Sequence, residues 1–345
     1  MANGSAVVRI GILGAARIAA RALIAPAWEV GTATVAAVAT RGEERAKGFA
    51  LQHGIPAAYG SYEALLADPS IDAVYIPLPN ALHGSWTLRA IAAGKHVLCE
   101  KPFAANADEA QRIAGAADAS GLVVMEAMHY RYHPLVQRMA AMVAGGAIGT
   151  PRYLQCWTSW AIPEISDIRY SFPLGGGALM DGGCYAADCL RLLGPGEPEV
   201  TGALADPVPG RPVDRSMAVR LSWPSGLSGW FESSFTGSGD FRADVYVSGD
   251  EGHLLAHLAH PARPAPSSPA HSSPASFSVR SFCPAYQVAT SVTATRRTVA
   301  SGSPTSEVIA PAAPMFSATA RDHCCTLSVR APGTRLPNRA SHTSA

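Results

Sequence analysis

No sign of charge dominates this chain: 27 Lys and Arg stand against 26 Asp and Glu, a net of +1. A nucleic-acid binder needs a basic face, so no nucleic-acid partner is expected. Charge of either sign is also scarce, 15% of residues where an average domain has roughly a quarter. With 48% hydrophobic residues, the chain can bury a large core. Seven cysteines in 345 residues are too few for a disulfide framework and fit a reducing compartment. No apolar run reaches the roughly 18 residues a membrane helix needs, so no membrane partner is expected. No signal peptide is expected either. No Lys or Arg precedes Val7, and Arg9, Arg17 and Arg21 interrupt the apolar stretch. An organelle transit peptide is the alternative, because residues 1–28 hold three Arg and no acid; a glycine turn explains the same residues, and a soluble cytoplasmic protein is expected. The chain has no P-loop, no G-x-S-x-G elbow and no H-E-x-x-H pair. His129 and His133 are four apart, but Pro134 should break their helix at once and no cysteine pair completes a site. No metal is expected.

What is present is an alternation of strands and helices. Short apolar runs at Val7–Leu13, Thr34–Ala39, Ala73–Ile76, His96–Cys99 and Leu122–Met125 read as strands of a six-stranded set. Helical stretches lie between them: Ala16–Ala25 ending at Pro26, Glu43–His53, Ser61–Ala67, Leu82–Ala93, and one opened by an Asn106/Glu109 capping box and closed by Gly121. This pattern gives an α/β Rossmann domain with a doubly wound parallel sheet over residues 1–125. From there to residue 252, strand-like runs near 152–158, 216–223, 227–235 and 243–248 surround a helix at about 177–193. An α+β domain with an open, mainly antiparallel sheet is expected there.

Residues 253–345 break this pattern. They hold 15 Ser and 11 Pro but only two acids, Glu307 and Asp322. Before residue 253 there are 19 basic and 24 acidic residues; after it, 8 and 2. Pro261–Pro274 can be neither helix nor central strand, and an irregular tail is expected. A GC-rich gene read out of frame yields this Ala, Arg, Pro, Ser and Thr vocabulary. The Asp322-His-Cys-Cys325 cluster has no partner pair and is not read as a metal site.

The first turn carries the nucleotide signal. From Gly14 the residues read G-x-A-x-x-A, with Ala16 in the middle and Arg17 and Ile18 opening the helix. Small residues here let backbone approach a pyrophosphate at the helix N-terminus; a tight turn without a ligand has the same appearance. The second strand ends in Thr40-Arg41, where an NAD enzyme carries an acid for the ribose hydroxyl. A hydroxyl and a guanidinium suit a 2′-phosphate, so NADP is expected over NAD. Ligands of such sheets bind beyond the carboxyl ends of the strands. Pro77, Leu78, Asn80 and His83 lie past the strand Ala73–Ile76; Glu100 and Lys101 follow the strand His96–Cys99. In the second half, three glycines precede Asp181 and Tyr185, which share one helix face at i,i+4. A structural tyrosine bonded to Asp181 would look the same.

Together the segments GILGAARIA, IDAVYIPLPNALH, GKHVLCEKPFAANADEA, MEAMHYRYHP and GGGALMDGGCYAADCLRLLG resemble the glucose–fructose oxidoreductase / inositol dehydrogenase / MocA family. They are most similar to its subgroup of NADP-dependent xylose dehydrogenase and dimeric trans-dihydrodiol dehydrogenase. The resemblance implies that Lys101 contacts the nicotinamide ribose and a substrate hydroxyl. It implies that Tyr185 is the acid/base, where many relatives place a histidine, with Asp181 orienting it or the substrate. Arg131 and Arg169 are implied as substrate-pocket residues, and a homodimer as the assembly. Relatives continue past Gly249–Gly252 with further strands and a final helix that residues 253–345 do not match. The implied reaction is hydride transfer between NADP(H) and a CH–OH group of a sugar, polyol or vicinal diol. Two readings stand beside it: a sugar-ketone reductase, such as one acting on an anhydrofructose, and a non-catalytic or defective NADP-binding protein.

Overall fold

The computed structural model describes residues 7–237, 241–259, 281–283, 288–296 and 325–329. Its first half is a six-stranded parallel sheet: β1 (Val8–Leu13), β2 (Ala33–Ala39), β3 (Ala57–Tyr59), β4 (Ala73–Ile76), β5 (His96–Cys99) and β6 (Val124–Glu126), in the order β3-β2-β1-β4-β5-β6. That is the Rossmann order, with its crossover between β1 and β4. The central strands are mainly apolar toward their carboxyl ends because helices cover both faces; the last three residues of β1 and the last five of β2 are buried. Four helices follow the boundaries read from sequence: α2 (Glu43–His53), α3 (Tyr62–Leu66), α4 (His83–Ala92) and α5 (Ala107–Ser120). Ser61 caps α3, its hydroxyl accepting from Ala64 N. Asn106 caps α5 by accepting from Glu109 N, while the Glu109 side chain reaches back to Ala105 N.

The first helix departs from expectation. Instead of ending at Pro26, α1 runs through it, as Arg17–Ala19, a wide π-turn Ala20–Ile24 and Ala25–Val30. A proline ring clashes with the carbonyl four residues back in an α-helix; the wide turn just before Pro26 relieves that clash. Pro134 was also misread. It does not break a helix but opens α6 (Pro134–Ala144), at the one position where its missing N–H costs nothing. His133 is the N-cap, its Nδ1 accepting from Leu135 N at 3.1 Å.

The second half is a mixed, mainly antiparallel sheet. Its strands are β7 (Pro151–Ser159), β8 (Glu199–Pro207), β9 (Asp214–Ser222), β10 (Ser228–Ser234), β11 (Arg242–Gly249), β12 (Gly252–Ala259), β13 (Ser281–Cys283), β14 (Val288–Arg296) and β15 (Cys325–Val329). The order is β13-β14-β12-β11-β7-β10-β9-β8, with β15 on β14. Only β7–β10 and β14–β15 pair in parallel. Helix α7 begins with a π-turn, Leu179–Gly183, and continues as Cys184–Leu193. It lays Ala186, Cys189, Leu190 and Leu193 on Leu154, Val219, Phe231 and Val247 of the sheet. Edge strand β8 escaped the sequence reading because little of it is buried and Val200 and Leu204 face solvent.

The sequence placed the break at residue 253, but β12 carries the sheet to Ala259, with Leu254 and Ala256 buried in the core. Strands β13, β14 and β15 also fall in the stretch read as irregular. In β14 the sequence is VATSVTATR. Its β-branched residues favour a strand without apolar alternation, which is why a search for alternation passed over it. Pro261–Pro274 and all of the Asp322–Cys325 cluster but Cys325 itself lie outside the described residues. Among the described residues, no helix is long and apolar enough to cross a membrane.

Candidate active site

The first domain offers a cradle at the end of β1. Gly14 has φ +112°, and a Cβ there would meet Leu78 Cδ2 at 2.9 Å. Helix α1 follows with Ala16 at its N-cap and no side-chain cap. Its first N–H groups therefore point outward as anion donors. Beside this turn is a cavity of about 480 Å³ lined by Ala15, Arg17, Arg45, Gly48, Phe49 and His53. Thr40 is buried, its hydroxyl donating to Gly42 O at 2.6 Å, while Arg41 is exposed at the loop. Sequence reasoning missed Arg45, whose Nη2 lies 3.3 Å from Ala15 O. Arg45 lies in the first turn of α2, while Arg41 stands in the loop before it, so no helix-face spacing links the two. These residues fit a dinucleotide with a 2′-phosphate: a side-chain-free turn, an open helix end, and arginines where an acid would repel it.

The loops past β4 and β5 are pinned by buried groups. His83 is fully buried; its Nδ1 lies 2.7 Å from Pro102 O and its Nε2 2.7 Å from Leu78 O. It therefore ties two cofactor-side loops together rather than facing the cleft, and burial holds it below the ordinary histidine pKa. Glu100 accepts from the Tyr75 hydroxyl at 2.6 Å. Glu126, within the MEAMHYRYHP segment but given no role there, ends β6 and accepts from Phe103 N at 2.8 Å. Burial raises its pKa above the usual carboxylate value. Pro77 is buried behind these loops and Leu78 is half-buried at the cradle. Between His83 and Glu126, the Lys101-Pro102-Phe103 backbone is held on both sides.

Lys101 then reaches across to the second domain. Its Nζ donates to Asp181 Oδ1 at 2.7 Å and to Asp181 O at 2.8 Å, and stands 5.1 Å from the centroid of the Tyr185 ring. The other carboxylate oxygen of Asp181 accepts from Arg169 Nε at 2.7 Å. Burial by itself would raise the Asp181 pKa, but Lys101 and Arg169 outweigh it and hold the carboxyl below its ordinary value. Burial likewise pulls Lys101 down, and Asp181 outweighs that, so the lysine stays an ammonium. Asp181 thus serves two cations, Lys101 and Arg169; the expectation that it orients Tyr185 or the substrate names neither of them. The Tyr185 ring is flanked edge-on by His129 at 5.9 Å and Tyr130 at 6.0 Å.

Arg131 takes a different place from Arg169. It makes a two-pronged bond to Asp188, Nε to Oδ2 at 2.8 Å and Nη2 to Oδ1 at 2.6 Å, and the Tyr130 hydroxyl donates to the same carboxylate at 2.5 Å. Asp188 lies one turn after Tyr185 on α7, so Arg131 braces the helix that carries the tyrosine. Asn80 joins the domains: its Nδ2 donates to Gly175 O at 2.9 Å. Gly175 has φ +74°, and a Cβ there would meet Ala81 N and Asn80 Cβ at 2.9 Å each.

This arrangement can pass charge and a proton at a cleft between a nucleotide cradle and a tyrosine. Comparison with known proteins gives the family. Residues 8–128 match the model of the oxidoreductase family with an NAD-binding Rossmann fold, and residues 136–255 match the GFO/IDH/MocA C-terminal domain. The chain is 44% identical to D-xylose 1-dehydrogenase (NADP(+)) 2 of Haloferax volcanii over 226 residues, 65% of this chain and 69% of that one. It is 35% identical to trans-1,2-dihydrobenzene-1,2-diol dehydrogenase of Sus scrofa over 232 residues, 66% of each. Among solved structures it is similar to a 3-ketoreductase from Actinomadura kijaniata in complex with NADP and TDP-benzene. The TM-score there is 0.68 at 30% identity, over 74% of this chain and 81% of that one. With both halves of the cleft matched, the chain belongs to the GFO/IDH/MocA oxidoreductase family.

Proposed function

We propose that the protein is an NADP-dependent dehydrogenase acting on a CH–OH group of a sugar or vicinal diol. The observation that carries this reading is the Lys101 ammonium, fixed by Asp181 at the carboxyl edge of the parallel sheet and standing over the Tyr185 ring. NADP, bound at the Gly14 turn, supplies the hydride acceptor in the forward direction and the donor in reverse. Arg41, Arg45 and the open end of α1 hold its anionic groups. Tyr185 takes the proton of the substrate hydroxyl. A free tyrosine has a pKa of about 10 and is a poor base near neutrality. The positive charge of Lys101 stabilises the negative charge its oxygen carries. Asp181 keeps that ammonium aimed, and Arg169 closes the other side of the carboxylate. The clamps of His83 and Glu126 hold the lysine's own loop still.

The similarity to the NADP-dependent xylose dehydrogenase and the dihydrodiol dehydrogenase supports this substrate class. The similarity to a 3-ketoreductase supports the reverse direction, which uses the same groups. The test is a cofactor titration followed by a turnover screen with xylose, glucose and aromatic trans-dihydrodiols. NADP-linked oxidation of at least one is expected; tight NADPH binding with no turnover of any would leave a non-catalytic binding protein instead.

A further inference from the structure

We propose that Asp167 sets the charge class of the substrate. By engaging Arg169 together with Asp181, it makes the reacting end of the cleft select uncharged hydroxyl compounds over carboxylates and phosphates. The inference rests on the oxidoreductase reading above and narrows its substrate. Arg169 is the cationic side chain nearest the Lys101–Asp181 pair, and left alone it would clasp an anion. It is not alone. Nε is held by Asp181 Oδ2 at 2.7 Å, and Nη1 lies 3.2 and 3.3 Å from the two oxygens of Asp167. An arginine that recognises a carboxylate or phosphate presents two parallel N–H groups. Here one nitrogen of each such edge is engaged, and Nη2 is left for a ligand, a geometry suited to a single hydroxyl oxygen. Lys101 is likewise paired with Asp181 and stands at the Tyr185 ring. Two cations and two carboxylates cancel at this end of the cleft. The other charged groups facing it do not change the sign: Glu100 and Glu126 are acidic, and Arg131 is matched by Asp188. An incoming anion would have to displace a carboxylate from a largely buried pair or sit beside it, and either builds in rejection by like charge.

Asp167 also accepts from Arg169 N at 2.9 Å, capping the turn Ile168–Tyr170. Asp167→Asn keeps an oxygen for that bond and removes only the charge. The experiment compares kcat/KM with NADP for xylose and glucose against xylonate, gluconate and glucose 6-phosphate, with NADPH titration and melting temperature to certify folding. The wild type is expected to favour the neutral sugars by at least about a hundredfold. In Asp167→Asn the acid-to-neutral ratio is expected to rise about tenfold or more, because one like charge has left the pocket. A purely structural role for Asp167 would lower both substrates alike and leave the ratio still, which overturns the proposal. A wild type that prefers the acids overturns it too while leaving the oxidoreductase intact. If neither class is turned over, an aromatic trans-dihydrodiol replaces the sugars as the neutral substrate; failure of that too overturns the oxidoreductase reading and this one with it.

Discussion

The two domains meet the ligand in different materials. On the cofactor side the pyrophosphate cradle is built from backbone, a glycine without a Cβ and an uncapped helix end over loops clamped from behind by His83 and Glu126, with the Arg41 and Arg45 side chains beside it. On the substrate side they are side chains in a closed charge net, Lys101–Asp181–Arg169–Asp167, with Arg131–Asp188 bracing the helix beside it. A backbone cradle recognises what every nucleotide shares, whereas a side-chain net can be retuned one residue at a time. Substitutions on the two sides should therefore fail in different ways, the first in affinity and the second in turnover.

The sharpest division is expected at Tyr185. Tyr185→Phe keeps the ring and removes the transferable proton, so kcat should fall by roughly 10²–10⁴ with NADPH affinity nearly unchanged. Wild-type kcat at saturating substrate would remove Tyr185 from the chemistry. Next is the converse. Arg41→Ala and Arg45→Ala should each weaken NADPH binding about ten- to a hundredfold, through lost charge-assisted contacts of about 1.5–3 kcal/mol, while NADH binding barely moves. Equal fluorescence titrations for NADPH and NADH in the wild type would break the cofactor assignment. A smaller effect tests the brace. Arg131→Met strands the buried Asp188 carboxylate and should cost about 1–3 kcal/mol of stability, read by urea unfolding. A variant with unaltered stability but a substrate KM raised tenfold would return Arg131 to the pocket. Least of all, Ser61→Ala removes the exposed cap of α3 and should cost about 1 kcal/mol without touching either ligand.

Much of the cofactor side was legible because its residues act through position along the chain. The G-x-A-x-x-A turn, the strand ends and Lys101 all follow from spacing. His83 was seen as a cofactor-side residue, but its burial between two carbonyls arises from loops 5 and 19 residues away. The substrate side was legible as residues and not as partners. Asp181 and Tyr185 share a helix face, yet the lysine that claims Asp181 is 80 residues distant. Proline was the main local trap: at Pro26 a wide turn absorbs the ring, and at Pro134 the ring starts a helix.

The match to the family's second domain ends at residue 255, close to where the composition changes. We propose that a shifted reading frame underlies the loss of acids and glycine from about residue 253 onward. Translating the nucleotide sequence around codon 253 in the other two frames is then expected to yield alternating strands and a terminal amphipathic helix. If neither frame does, the tail is native sequence.

The contact at Gly175 carries a consequence for how the halves came to share a reaction. Nothing chemical happens there, yet it is a fitted joint, in which an amide of one domain rests against bare backbone of the other. A methyl group at that position would act as a shim, tilting one domain on the other about the joint. Lys101 and Asp181 would be drawn apart with both residues untouched. The pairing of Lys101 with Asp181 therefore holds only while the joint keeps its thickness, so the alignment of the reacting residues is set in part at a position outside their own hydrogen-bond net.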